Sequence, residues 1–111
     1  MSNRTLTWFM EEPPLGGSQR ETYRMDGSYN AVRAWVNFGT APTVEEIFFD
    51  IKVDGVSLFS YALRAQDETD AEEDNFSDAQ ISKDSLVSLE VTQRGGNPGS
   101  NVTVGLDLEA A

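Results

Sequence analysis

The sequence predicts an all-β protein, a single antiparallel β-sandwich, and three observations carry that expectation. Apolar and polar residues alternate with period 2 in several short runs, clusters of Gly, Pro, Asn and Asp separate those runs, and no segment carries a helical stripe. A length of 111 residues suits one domain, so 1–111 is read as a single unit with a short N-terminal arm over 1–4.

The first strand is expected over Thr5 to Met10, with Leu6, Trp8 and Met10 on one face. Glu11-Glu12-Pro13-Pro14 ends it, since proline cannot donate to a ladder, and PPLGGS follows as a loop. Arg20 to Met25 is a short strand closed by Asp26-Gly27-Ser28. Tyr29 to Phe38 is a longer one, with Val32, Ala34, Val36 and Phe38 facing one way and Trp35 the other. Only Thr43 to Glu46 and Asp78 to Asp84 have room for a single helical turn.

The run IFFDIKVDGVSLFSYA, Ile47 to Ala62, reads as two strands about an Asp54-Gly55 turn of type I′. Counting outward from the turn pairs Val53 with Val56, Ile51 with Leu58, Phe49 with Ser60 and Ile47 with Ala62, an apolar face that belongs to a core. The other face pairs Lys52 with Ser57, Asp50 with Phe59 and Phe48 with Tyr61. Phe48, Phe59 and Tyr61, with Trp35 on a neighbouring strand, therefore stand where solvent is expected, and three readings are open. They form an interface between subunits, they form a platform for sugar rings, or a slipped register or β-bulge returns them to the core.

The apolar signal lapses over 64–76, which is expected to be an acidic loop. Two clean strands close the chain: Ser85 to Thr92, with Val87, Leu89 and Val91 inward, and Asn101 to Glu109, with Val102, Val104, Leu106 and Leu108 inward. Arg94 to Ser100 between them is a glycine-rich surface loop. Seven or eight antiparallel strands result, within the range of a jelly-roll or Ig-like sandwich.

Composition excludes much chemistry. With no His and no Cys, the chain cannot build a Ser-His-Asp triad, a Cys-His pair, a disulfide or an imidazole or thiolate metal site. The acids lie in loops or on outward strand positions, as solvated charge does, and neither Lys52 nor Lys83 has the desolvated setting of a Schiff-base amine. No catalytic residue and no cofactor is implied. Asp67, Asp70, Glu72, Glu73 and Asp74 form the one cluster suited to Ca²⁺, although their spacing lacks the EF-hand pattern and its glycine. The pairs Gly16-Gly17 and Gly95-Gly96 are turns rather than phosphate cradles, because neither precedes a helix with a suitably placed Lys or Ser.

Eight basic against 19 acidic residues give a formal charge of −11, which disfavours nucleic acid and anionic membranes as partners. A charge mimic of DNA would instead need its acids in a spaced double row, whereas most of these cluster in one segment. The N-terminal residues lack the apolar core of a secretory signal, and no run approaches the roughly 18 apolar residues of a membrane helix, so expression in a cytoplasm is expected. On that expectation the Asn-X-Ser/Thr triplets at Asn3, Asn75 and Asn101 are chance occurrences.

The succession LTWFM, YRMDGSYNAVRAWVNFGTAPTVEEIFFDIKVDGVSLF and DSLVSLEVTQRGGNPGSNVTVGLDL resembles the small jelly-roll virion proteins of tailed bacteriophages. The resemblance spans Leu6 to Leu108. It is carried by Asp50, Ile51, Asp54, Gly55, Ser57, Leu58 and Phe59 in the hairpin and by Leu89, Val91, Gln93 and Gly95 in the closing strand and turn. The chain departs from the pattern between Leu63 and Phe76, where an acidic tract replaces a small-residue loop. The resemblance implies a jelly-roll-like sandwich of about eight strands and a capsid decoration protein, head fibre or tail appendage. It further implies a homo-oligomer, with a trimer favoured, in contact with the major capsid protein or another virion protein. Such a protein is made in the host cytoplasm and resides on the capsid surface, with Trp35, Phe48, Phe59 and Tyr61 between subunits. A receptor- or glycan-binding module of a tail fibre is the alternative, although only a few residues precede Leu6 to serve as an attachment segment.

Overall fold

The computed structural model describes residues 3–13, 18–93 and 96–111. The Gly16-Gly17 turn and part of the 94–100 loop, including Gly95, lie outside them. Ten strands follow in order: β1 Arg4–Met10, β2 Ser18–Arg24, β3 Tyr29–Thr40, β4 Ile47–Val53, β5 Val56–Ser57, β6 Leu63–Ala65, β7 Asp70–Glu73, β8 Gln80–Ile81, β9 Leu86–Gln93 and β10 Ser100–Ala110. No helix occurs among the described residues.

The strands form two antiparallel sheets. The first runs β1-β10-β3-β7, with β8 pairing β3 beyond β7; the second runs β2-β9-β4-β5, with β6 pairing β4 beyond β5. Since β5 and β6 share one side of β4, and β7 and β8 one side of β3, ten strands fill eight positions. Their alternation between sheets is the order of a jelly roll. The expected all-β sandwich is thus observed, with two of its eight positions each built from two short pieces.

Alternation explains why these residues form these strands. Leu6, Trp8 and Met10 of β1, Val87, Leu89 and Val91 of β9, and Val102, Val104, Leu106 and Leu108 of β10 are all buried, as the period-2 pattern predicts. Phe38 and Phe49 meet across the sandwich with ring centroids 6.3 Å apart. At the seam where β1 and β2 leave different sheets, the Trp8 indole donates to the Glu21 carbonyl at 2.8 Å and the Tyr23 hydroxyl donates to the Thr7 carbonyl at 2.5 Å. These bonds occupy backbone acceptors that an edge strand would otherwise offer to another chain.

Four expectations are corrected. In β3, Val32 faces solvent rather than the core, because it is an extra residue between Arg33, opposite Asp107, and Ala31, opposite Leu108; this bulge turns Ala31 and Tyr29 inward. The 64–76 segment is not one loop but contains the end of β6 and all of β7. Neither 43–46 nor 78–84 holds a helical turn: the first bends about Val44, and the second contains β8 with Ile81 buried.

The fourth correction concerns the hairpin. Lys52 pairs with Ser57 and Val53 with Val56 as expected, Asp54 and Gly55 both take positive φ, and the Leu58 N–H donates to the Ile51 carbonyl at 2.8 Å. The chain then leaves β4 and returns so that Phe49 faces Leu63, Phe48 faces Arg64 and Ile47 faces Ala65, three residues later than the expected Ser60, Tyr61 and Ala62. The intervening residues bond to a different partner. Ser60 N–H donates to the Asn75 carbonyl at 3.0 Å and Ser77 N–H to the Leu58 carbonyl at 2.9 Å, so Phe59 stacks on Phe76 with centroids 5.8 Å apart.

Candidate functional site

The outer face of the first sheet carries the densest set of oriented polar groups around an aromatic ring. The pairing register places Thr7, Gly105, Trp35 and Glu72 in one row across β1, β10, β3 and β7, and Phe9, Thr103, Asn37 and Asp70 in the next. Gly105 is the one outward β10 position in this stretch without a side chain. A Cβ there would lie 2.1 Å from Cε2 and Cζ2 of Trp35, so the indole occupies the space that any larger residue would fill.

Asp107 fixes this arrangement. Its Oδ1 accepts from Trp35 Nε1 and from the Thr5 hydroxyl, both at 3.1 Å, while Oδ2 accepts from Nε and Nη2 of Arg33 at 3.2 and 3.0 Å. Arg33 also reaches Glu72 at 3.0 Å, linking β10, β3 and β7. Partial burial works against the Asp107 charge, but the hydrogen bonds from Trp35, Thr5 and Arg33 outweigh it and hold the carboxyl below its ordinary value of 3.8. Asp26, hydrogen-bonded by Tyr29 at 2.9 Å and paired with Arg4 at 3.0 Å, is lowered as well. A depressed carboxyl contributes stability that is complete above its unfolded pKa and lost as pH falls through its folded one. Melting temperature is therefore expected to fall as pH drops below about 4, and to fall less in Asp107→Asn, when thermal melts are followed down from neutral pH.

The sequence-predicted residues do not gather into one platform. Trp35 lies on the outer face of the first sheet and Phe48, half-buried, on the outer face of the second, so the sandwich separates them. Phe59 is 7% exposed and belongs to the core, which corrects its expected outward position; Tyr61, 68% exposed, stands on the connection between β5 and β6. The register-slip reading thus accounts for Phe59, through a three-residue excursion.

The calcium candidates are also spread. Asp70 accepts from Asn37 at 2.5 Å, Glu72 is engaged by Arg33, Glu73 accepts from the Asn75 N–H at 3.1 Å, and no three acids converge on a common point among the described residues. Lys52 pairs with Glu90 at 2.9 Å, and that hydrogen bond raises its pKa, the reverse of what a Schiff-base amine needs.

The Gly105–Asp107–Arg33 support was missed in the sequence. Its one local signal is a glycine interrupting a strand of alternating Val, Leu and polar residues, which marks a close approach. No protein-family model matches the chain, and comparison with curated proteins gives no match.

Proposed function

We propose that the chain is a virion structural protein, a capsid decoration protein that binds the outer surface of a tailed-phage head as an oligomer and works by adhesion rather than catalysis. The observation that carries this reading is the jelly-roll strand order, on which Asp50 to Ser57 of the hairpin that resembles phage virion proteins fall at β4, its turn and β5, and Leu89, Val91 and Gln93 fall in β9. The partners are further copies, with a trimer favoured, and the major capsid protein. Because Phe59 is internal, the expected interface residues that remain outward are Phe48, Tyr61 and Trp35, and they do not form one shared cluster.

Quantitative mass spectrometry of purified particles tests this. Copies in proportion to the capsomers of the shell support decoration, and a handful or none refutes it. The second reading, a glycan-binding module, is favoured by one observation: Trp35 is flanked in register by Thr7, Thr103 and Asn37, whose groups can hydrogen-bond a sugar stacked near the ring. Glycan-array binding that Trp35→Ala abolishes would establish it over decoration.

A further inference from the structure

Val44 is a β-branched residue with φ +74°, and it is 73% exposed. The Glu45 N–H donates to the Thr43 carbonyl at 2.9 Å, so Val44 is the apex of a γ-turn of the positive-φ sense, the rare and strained one. Glycine or asparagine meets that geometry at lower cost, and valine is among the residues least suited to it.

Neighbouring connections hold the turn in place. Gln66 Nε2 donates to the Val44 carbonyl at 2.9 Å, Asp67 N–H to the Pro42 carbonyl at 2.7 Å, and Thr43 N–H to the Asn97 carbonyl at 3.0 Å. The Asn101 N–H, at 2.7 Å from the Glu11 carbonyl, ties in the β1–β2 connection, so all four inter-sheet connections at this end brace one another. Backbone strain persists only where its surroundings over-determine it, and here it holds an apolar side chain out into water. Around it the described residues of the four connections carry Glu11, Glu12, Glu45, Glu46, Asp67 and Glu68 and no Lys or Arg, and of these acids Glu46 pairs with Arg64 of β6 at 3.6 Å.

Resting on the decoration reading, we propose that this end of the sandwich meets the shell, with Val44 seated in an apolar socket on the capsid rimmed by basic side chains. Local sequence and fold disagree at Val44 in the way they do where a contact matters more than local stability. The surrounding charge then sets the sign of the partner's rim.

The test uses particles assembled without the protein, with sedimentation binding and thermal melting of the full chain. Val44→Gly is expected to melt several degrees higher, because glycine takes the positive-φ γ-turn without a Cβ penalty, and yet to bind about tenfold more weakly. Val56→Asn, at the far end of β4, should bind like the wild type. Added salt should weaken wild-type binding. Wild-type-like binding by Val44→Gly overturns the inference while leaving decoration standing. A lower melting temperature overturns its strain argument, and indifference to salt overturns the basic rim. No binding by the wild type overturns the decoration reading itself, and this inference with it.

Discussion

Trp8→Ala is expected to lower the unfolding free energy by about 3–5 kcal/mol, a large share of the roughly 5–15 kcal/mol that a domain of this size has in total. Trp8 is 1% exposed, and its indole packs edge-on to Tyr23 with centroids 5.3 Å apart. Truncation therefore opens a cavity and also leaves the Glu21 carbonyl without its donor. Because Trp8 joins the edge strands of two different sheets, the seam loosens with it. Trp8→Phe keeps most of the ring and should cost less, about 1–3 kcal/mol, chiefly for the lost hydrogen bond. Urea denaturation measures both, and a loss below about 1 kcal/mol for Trp8→Ala would contradict the packing described for this seam.

Phe59→Ala should cost about 3 kcal/mol or more, and Phe48→Ala less, about 1–2 kcal/mol. Alternation along Ile47 to Ala62 gives the two residues the same outward standing, but the structure separates them. Phe59 stacks on Phe76 beneath Ser60–Asn75 bonding, whereas Phe48 lies half-buried on the outer face opposite Arg64. Replacing both with Ser is expected to destabilise the sandwich itself, with most of the cost falling at Phe59. Equal costs for the two single variants, or the reverse order, would show that the β5–β6 excursion is misplaced.

The long strands were legible because one face of each is buried, and burial writes period 2 into the sequence: β1, β9 and β10 agree with the expected inward residues throughout. Departures from strict pairing were not legible. The segment Ser57-Leu58-Phe59-Ser60-Tyr61-Ala62 alternates well enough to continue the hairpin, and nothing within it announces that Asn75 and Ser77, far along the chain, will capture its backbone. The Val32 bulge is equally silent, since valine suits either face of a strand. The acidic run looked like a loop because edge strands carry charge, and β7 is a short acidic edge strand on β3.

The outer-face site was half legible. Trp35 was expected outward and is outward, but the residues that seat it come from β10, β3 and β7, and only the fold brings Gly105, Asp107 and Glu72 beneath and beside it. Val44 carried no sequence signal, because a strained turn is defined by dihedral angles and not by composition.

If the decoration proposal holds, an imaging reconstruction of the intact particle shows a two-sheet sandwich density repeated over the outside of the head, with the Val44 end against the shell. Density confined to the tail, or a head surface free of it, refutes the proposal.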